Sequence, residues 1–249
     1  MVQKVALVTG AAAGIGAACS RRLAEDGIAI GVLDLDAERC AGTVAAIEAA
    51  GGKALALGAD ISNREQVRAA LARLRETLGP VTVVVNNAGI TGNVPFEELT
   101  DQQWDRMYAV NVRGTFIVTQ EALPDMKAAK WGRIVNISSS SAQTGSVKMA
   151  HYSSSKGAVI SLTRTLAQEL GPLGITVNNI PPGSVMNTIM AEAQRELMQG
   201  KIEALVSTLP VRRQGEPEDI ANACAWLVSE ASGYVTGQTI GVNGGRVVS

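Results

Sequence analysis

Tyr152 and Lys156 stand four residues apart at the start of a predicted helix, so their side chains share one face of it. The phenol of a free tyrosine has a pKa of about 10, too high for efficient proton transfer at neutral pH. A lysine cation about 4 Å away would stabilise the phenolate by about 4 kcal/mol at an effective dielectric of about 20, or about three pKa units. The pair therefore predicts acid–base chemistry, although an isolated match of this kind also describes an ordinary surface pair.

Two more polar residues fit the same chemistry. Ser139 follows a predicted strand thirteen residues before Tyr152, and its hydroxyl could hydrogen-bond a substrate oxygen as carbonyl or alkoxide. Spacing alone does not single it out from the serine run 138–141, which also reads as a polar loop. Asn111 is a poor helix former inside a predicted long helix. It either bonds back to its own helix or holds a water that relays protons to Lys156.

A glycine-rich turn, Thr9–Gly16, joins the first predicted strand to the first helix. Glycine lets such a turn tighten and lets backbone N–H groups approach a pyrophosphate, and the helix N-terminus adds partial positive charge. An isolated turn of this kind is a weak signal, because an ordinary strand–helix turn looks similar. The residues expected to contact a dinucleotide here are Gly10, Ala13, Gly14, Ile15 and Gly16.

Asp34 ends the second predicted strand, about 20 residues beyond the glycine turn. A carboxylate there accepts hydrogen bonds from an adenosine ribose and repels a 2′-phosphate. A hydrogen bond to a charged group contributes about 1.5–3 kcal/mol, roughly a ten- to hundredfold preference. No arginine adjoins Asp34, and Arg39 is five residues away, so NAD is predicted rather than NADP. The alternative is that Asp34, like Asp36, only starts a turn.

Two other strand ends carry candidate cofactor contacts. Asp60 and Ile61 end the third strand, where they could either meet an adenine ring or cap the following helix. The segment Asn86–Gly89 ends the fourth strand, and its small residues suit a close backbone pass beside a cofactor or a plain turn. The contacts expected from these segments are Asp60, Ile61, Asn87, Ala88 and Gly89.

Short apolar runs alternate with amphipathic stretches along the whole chain. The run Val81–Asn86 shows no alternation, as in strands buried on both faces of a parallel sheet. Thr100 is a plausible N-cap for the long helix that follows. The pattern predicts one α/β domain over residues 1–249, a Rossmann-type, doubly wound, seven-stranded parallel sheet flanked by helices. The predicted strands are Lys4–Thr9, Ile28–Asp34, Ala54–Gly58, Val81–Asn86, Arg133–Ile137, Ile175–Ile180 and Gln238–Val242; the predicted helices are Gly14–Asp26, Ala37–Ala50, Arg64–Leu78, Asp101–Lys127, Tyr152–Leu170 and Pro217–Leu227.

An insertion at about 184–210 interrupts this rhythm and is expected to lie over the active site, as lid-like loops do. If its apolar residues line the pocket, the methionines give an adaptable wall and favour a small to medium, partly apolar ketone or secondary alcohol. The alternative is that they pack on the core. The candidate wall residues are Val185, Met186, Ile189, Met190, Leu197 and Met198, with Asn93, Gln143 and Met149 from flanking loops.

Composition excludes several function classes. The chain has 249 residues, 46% hydrophobic and 18% charged, and a net charge of −1, so a nucleic-acid partner is not expected. No window approaches the roughly 20 apolar residues of a membrane span, and the N-terminus lacks the features of a signal peptide. Three scattered cysteines, Cys19, Cys40 and Cys224, form neither a metal site nor a disulfide framework, which fits a cytoplasmic setting.

His151, the single histidine, precedes Tyr152. Adjacent helical residues point about 100° apart, so we expect an incidental or pocket-wall role rather than a catalytic one.

The motifs occur together and in order along essentially the whole chain. This ordered set resembles the short-chain dehydrogenase/reductase family in its single-domain branch. The motifs that carry the resemblance are Thr9–Gly16, Asn86–Gly89, Asn111, Ser139, Tyr152-x-x-x-Lys156 and Pro182-Gly183.

The resemblance implies a role for each catalytic candidate. Tyr152 would be the general acid/base, and Lys156 would hold the nicotinamide ribose and lower the tyrosine pKa. Ser139, selected by its distance from the tyrosine, would position the substrate oxygen, and Asn111 would anchor the relay water. Hydride would pass directly between the nicotinamide and the substrate carbon.

The resemblance also implies contacts from the segment after the sixth strand. Pro182, Gly183 and the backbone of Val185 would contact the cofactor, the last at its carboxamide. The family often has threonine five residues after the proline; here Asn187 stands there and Thr188 follows, and either could bond the carboxamide. A homotetramer is implied, with the Tyr152 helix and the helix Asp101–Lys127 at its interfaces.

Other functions make different demands. A reductase of 3-oxoacyl groups on acyl carrier protein or coenzyme A needs a basic rim for acyl carrier protein, for which Lys127, Lys130 and Arg133 supply one edge and Glu169–Gly174 supplies no cation. Biosynthetic reduction also usually draws on NADPH, against which Asp34 argues. A sugar or polyol dehydrogenase stays open because the sequence does not fix pocket polarity. A non-catalytic NAD sensor would have a broken catalytic set, whereas this set is complete.

Overall fold

In a computed structural model that describes residues 4–188 and 202–248, the chain forms a parallel six-stranded sheet with strand order β3-β2-β1-β4-β5-β6. The order reverses between β1 and β4, so the loops after these two strands run to opposite sides and leave a crevice at the carboxyl edge. The strands are β1 (Val5–Thr9), β2 (Ala29–Asp34), β3 (Ala54–Gly58), β4 (Val81–Asn86), β5 (Gly132–Ile137) and β6 (Ile175–Ile180).

Helices cover both faces of the sheet, because alternate strand residues point to opposite faces and both sets are apolar. Leu7 and Leu33 pack with α3, α5 and α7 on one face, and Val8 and Ile30 pack with α1, α2 and α9 on the other. The predicted α/β, doubly wound class is confirmed. In the described ranges the helices are α1 (Gly14–Glu25), α2 (Ala41–Ala49), α3 (Arg64–Leu78), α4 (Asp101–Tyr108), α5 (Thr115–Ala129), α6 (Ser141–Thr144), α7 (Ala150–Leu170), α8 (Ile202–Thr208) and α9 (Pro217–Val228).

The seventh predicted strand, Gln238–Val242, does not form a continuous ladder. It runs beside the end of β6 and makes two isolated parallel bridges, Asn179 with Thr239 and Pro182 with Val242. Pro181 lies between these two bridges and has no backbone N–H to donate, so the ladder is interrupted there.

The predicted helix Asp101–Lys127 is three consecutive segments rather than one regular helix. Thr100 caps α4 through a capping box with Gln103, as the sequence indicated. Residues Ala109–Gly114 then form a π-helix before α5 begins. Single-turn π-helices occur often at functional sites, and this one contains Asn111.

None of the described helices is both long enough and apolar enough to cross a membrane.

Candidate active site

The carboxyl ends of the strands open onto a cleft of about 680 Å³. Of the catalytic and cofactor-binding residues predicted from the sequence, only Gly16, Asn111 and Asn187 do not line it. Those that do are Gly10, Ala13, Gly14, Ile15, Asp34, Asp60, Ile61, Asn87, Ala88, Gly89, Ser139, Tyr152, Lys156, Pro182, Gly183 and Val185.

The glycine turn leaves no room for side chains at its tightest points. A Cβ on Gly16 would lie 2.2 Å from the Gly10 carbonyl oxygen and 2.6 Å from Asn87 Nδ2. Gly10 has a φ of +63°, and a Cβ there would lie 2.9 Å from Ala88 Cα. Gly16 and Gly10 thus let the turn pack directly against Asn87 and Ala88 after β4. Backbone N–H groups at the start of α1, not covered by side chains, form a site that fits a dinucleotide pyrophosphate.

Asn87 ties the ends of β1 and β4 together. Its Nδ2 donates to the carbonyl oxygens of Thr9 and Gly10, each at 3.0 Å. Thr9 Oγ1 accepts from the backbone N–H groups of Asn87 and Ala88 at 3.1 and 3.0 Å. Asn87 therefore fixes the glycine turn as well as lining the cleft.

Asp34 has three partners of its own. Its carboxylate accepts hydrogen bonds from the backbone N–H of Leu35 at 2.9 Å and of Ala12 at 3.3 Å. Arg39 Nη1 lies 3.0 Å from Asp34 Oδ1. No arginine adjoins Asp34 in the sequence, but the fold places one against it. The turn after β2 brings Arg39 back across the strand end, although five residues separate the two in sequence.

Asp60 lines the cleft and does not cap α3. The N-cap is Asn63, whose side chain accepts from the N–H groups of Glu65 and Gln66. Asp60 instead accepts hydrogen bonds from Ser62 Oγ at 2.7 Å and lies 3.5 Å from Arg106. Burial raises the pKa of Asp60, but the bonds to Ser62 and Arg106 outweigh it and hold the pKa below its usual value.

Tyr152 and Ser139 meet at the opposite end of the cleft. Tyr152 is 8% exposed, and burial raises the pKa of its phenol, while a hydrogen bond to Ser139 opposes the rise. That bond distinguishes Ser139 from the other serines of the run. The sequence predicted that Lys156 lowers the pKa of Tyr152. In the structure this pKa is raised instead, because burial of the phenol has the largest effect.

Lys156 is 4% exposed, and its ammonium donates a hydrogen bond of 2.9 Å to the carbonyl oxygen of Ile137. Burial lowers the pKa of Lys156 from 10.5 to about 8. A Cβ on Gly89 would lie 3.2 Å from Lys156 Nζ, so glycine at this position keeps the space beside the ammonium open.

Asn111 lies behind the cleft wall, fully buried, and its Nδ2 donates to Met107 Sδ, one turn earlier, at 3.1 Å. Its Oδ1 accepts from the Ile90 N–H at 2.8 Å, and its Nδ2 donates to the Ile90 carbonyl and to Ser155 Oγ, each at 3.0 Å. Ser155 Oγ in turn donates to the Tyr152 carbonyl oxygen at 2.7 Å. The π-helix therefore links the segment after β4 to the first turn of α7.

Several predicted wall residues have different places. His151 is buried behind the cleft wall with Nδ1 unpartnered, and burial lowers its pKa. Met149 lines the cleft, whereas Asn93 and Gln143 do not. Ile189, Met190, Leu197 and Met198 of the insertion lie outside the described residues.

Thr188 lines the cleft, whereas Asn187 is exposed with a φ of +55°. Of the two residues predicted as alternatives, Thr188 is therefore the one that lies at the cleft.

The polar lining residues that the sequence did not predict include three arginines and a glutamine. Arg106 reaches the site through its contact with Asp60, and Gln214 through a 2.9 Å hydrogen bond to Ser184 Oγ. Arg39 faces Asp34, and Arg246 comes from the C-terminal turn. None carries a local signal, because each reaches the cleft by tertiary packing.

We predict that replacing Lys156 with methionine changes how stability depends on pH. In the unfolded chain the lysine keeps its proton up to pH 10.5, whereas in the folded protein it loses it at about pH 8. The unfolded state thus binds more protons in this window, and wild-type stability should rise with pH relative to Lys156→Met, by up to about 3 kcal/mol. Urea unfolding of both proteins across the window measures this difference, and parallel profiles would contradict the prediction.

Several known proteins are similar to this chain over nearly its whole length. The family profile described as "short chain dehydrogenase" matches residues 4–199. The chain is 41% identical to nodulation protein G of Azospirillum brasilense, with 98% of each chain covered. It is 37% identical to the acetoacetyl-CoA reductase of Cupriavidus necator, again with 98% of each covered. A crystal structure of an actinorhodin polyketide ketoreductase variant with NADPH superposes with a TM-score of 0.93 and 34% identity, covering 98% of this chain and 97% of that one. The chain therefore belongs to the short-chain dehydrogenase family and is a nicotinamide-dependent oxidoreductase that acts on hydroxyl and keto groups.

Proposed function

We propose that the protein interconverts a ketone and a secondary alcohol with NAD(H), using Tyr152 as the general acid/base. The observation that carries this proposal is the buried Tyr152 phenol, bonded to Ser139, in the cleft that Lys156 also lines. A non-catalytic sensor would have no need of this arrangement.

Each residue has a separate task in the proposed reaction. During reduction Tyr152 donates its proton to the carbonyl oxygen, and during oxidation the phenolate takes the proton from the hydroxyl. Ser139 hydrogen-bonds the same oxygen and fixes its position. The nicotinamide supplies or accepts the hydride. Because burial raises the pKa of Tyr152, reduction starts from the correct, protonated form.

Lys156 provides a positive charge that offsets the cost of burying a phenolate. With a pKa of about 8, its ammonium still carries the proton at neutral pH. Both oxygen and nitrogen of the Asn111 amide have protein partners, so we propose that the relay water binds the Asn111 backbone carbonyl. That carbonyl accepts from Thr115 Oγ1 and has a second lone pair for a water.

Asp34 supports NAD over NADP, but less strongly than an unpaired carboxylate would. Its oxygens could still accept from a ribose diol, and the carboxylate is 12% exposed at the cleft wall. Arg39 neutralises part of the repulsion that a 2′-phosphate would meet. The preference for NAD therefore depends on which partner Arg39 takes when the cofactor binds.

A second candidate is reduction of 3-oxoacyl thioesters, which is favoured by the likeness to an acetoacetyl-CoA reductase. The basic rim predicted for an acyl carrier protein is not available at Arg133. That side chain is buried, lies over the Trp131 ring and faces Glu230 at 3.7 Å, at the edge of the sheet opposite the cleft. Of the two thioester types, we therefore favour a coenzyme A thioester.

We propose a homotetramer whose interfaces include α7 and the α4–α5 segment, because Phe116 of α5 is 42% exposed on that surface. We also propose a cytoplasmic location, in keeping with the three buried, unpaired cysteines.

A nicotinamide absorbance assay with a panel of ketones and secondary alcohols tests the main proposal. We expect wild-type turnover with NAD(H) and a loss of at least about a hundredfold in Tyr152→Phe, because the phenylalanine cannot transfer a proton. Tyr234→Phe, which removes the hydroxyl of an exposed tyrosine that does not line the cleft, is the matched control and should keep wild-type rates. Full activity in Tyr152→Phe would refute the assignment.

The cofactor preference has its own test. Asp34→Asn keeps the shape of the side chain, removes the negative charge and frees Arg39 for a 2′-phosphate. We expect the ratio of kcat/KM for NAD to that for NADP to fall about tenfold or more. The double variant Asp34→Asn/Arg39→Gln should lose most of the gain with NADP. An unchanged ratio in the single variant would show that Asp34 does not set the preference.

Light scattering on the eluting protein measures the oligomeric state. We expect the mass of four chains for the wild type and a smaller species for Phe116→Glu, since a carboxylate buried in an apolar interface is costly. A monomeric wild type would rule out the tetramer.

A further inference from the structure

The charges of the cleft do not balance. In the parts of the chain that the structure describes, two carboxylates and four cations line it. Each carboxylate has an arginine: Arg39 at 3.0 Å from Asp34, and Arg106 at 3.5 Å from Asp60. The two remaining cations are Lys156 and Arg246.

These two cations differ in their surroundings. Lys156 is buried, donates to the Ile137 carbonyl and has a place in the proposed reaction. Arg246 is exposed at the cleft, and its guanidinium makes no hydrogen bond or ion pair with any side chain or backbone group of residues 4–188 or 202–248. An arginine presents five donors in a planar fork, so this group is available to a ligand.

The turn that carries Arg246 is fixed in place. Asn243 is buried, and its Oδ1 accepts from the Gly245 N–H at 3.0 Å, while its Nδ2 donates to the Val247 carbonyl at 3.3 Å. The Arg246 N–H donates to the Asn243 carbonyl at 3.2 Å. The cation therefore sits on a closed turn rather than on a loose chain end.

Contacts of this turn place it beside the segment after β6 and not beside the adenosine end. A Cβ on Gly183 would lie 2.8 Å from Asn243 Cα, and the Gly183 N–H donates to the Val242 carbonyl at 3.1 Å. The Val211 N–H donates to the Gly244 carbonyl at 3.3 Å. Gly183 and Val211 flank the two ends of the insertion predicted to cover the substrate.

We infer that Arg246 binds an anionic group of the substrate, so that the substrate is a keto or hydroxy compound bearing a carboxylate or a phosphate. The inference rests on the proposed function and names its substrate class. Carboxylate and phosphate share the geometry that a guanidinium binds through two parallel hydrogen bonds. Ser184 and Gln214, joined by a 2.9 Å hydrogen bond, line the same cleft and add polar groups near the anion.

Matched substrate pairs test this inference. A short 3-oxo carboxylate is compared with its methyl ester, and a 3-oxoacyl coenzyme A thioester with the N-acetylcysteamine thioester of the same acyl group, which lacks the phosphates. The first pair isolates a carboxylate and the second isolates the phosphates. Each is assayed with wild type, Arg246→Gln and Arg246→Lys. Arg212→Gln, which removes an exposed cation of the neighbouring loop that does not line the cleft, is the control.

We expect Arg246→Gln to lower kcat/KM about tenfold or more for the anionic member of one pair and to leave its neutral member unchanged. Arg246→Lys should keep part of the activity, and Arg212→Gln should keep all of it. The preference for the anionic member should also weaken as ionic strength rises, because the guanidinium is exposed.

Two results would overturn the inference while the proposed function stands. In one, wild type accepts neutral and anionic members equally and Arg246→Gln changes neither. In the other, Arg246→Gln lowers kcat/KM equally for every substrate and raises the KM for the nicotinamide cofactor, which would place the cation on the cofactor diphosphate. The inference would also fail, with the proposed function intact, if wild type turned over neutral ketones or secondary alcohols of the panel but no member of either pair. If Tyr152→Phe kept full turnover, the proposed function itself would fail, and this inference with it.

Discussion

The site depends on the separation of two neighbouring strands at their carboxyl ends. Parallel strands β1 and β4 are hydrogen-bonded along their length, but the chain leaves them in opposite directions. The Asn87 amide holds this junction by bonding the Thr9 and Gly10 carbonyls, which would otherwise lack partners where the ladder ends. The tight packing of Gly16 against the same amide leaves the start of α1 facing the cleft. Without this junction, the nucleotide-binding part and the substrate-binding part of the cleft would not be positioned relative to each other.

At the end of the cleft that contains Tyr152 and Lys156, burial disfavours charge on both side chains. Burial raises the pKa of Tyr152 and lowers that of Lys156, so in both cases it favours the neutral form. The proposed reaction needs a charged lysine and an ionisable tyrosine in one cleft, so hydrogen bonds must offset the desolvation; one of them is the bond from Lys156 to the Ile137 carbonyl. The hydrogen bond to Ser139 opposes the effect of burial on the pKa of Tyr152. Such a site costs folding stability and keeps the charge where the reaction needs it.

The sequence predicted the elements that local pattern controls. The strands β3, β4 and β6 have the predicted bounds, because buried apolar runs bounded by turn residues define them. The cleft also contains most of the residues that the glycine turn and the strand ends indicated. What the sequence missed depends on tertiary contacts. The pairing of Arg39 with Asp34 needs the turn after β2 to fold back. The pKa of Tyr152 depends on its burial, which no spacing reveals. No residue type or spacing in the sequence predicts the π-helix. The prolines after β6 interrupt the last predicted strand only because the two segments lie side by side.

The π-helix at Ala109–Gly114 matters for the position of Asn111 and not for the packing of α4 and α5. A π-turn corresponds to one extra residue inserted into an α-helix, so α4 and α5 on either side keep the faces that a continuous helix would give them. Loss of one residue here would restore a regular helix and leave Ile117 and Met126 facing the sheet. It would withdraw the Asn111 amide from Ile90 and Ser155. In evolution, deletion of a single codon here could therefore give a relative that folds in the same way but has an altered or inactive site.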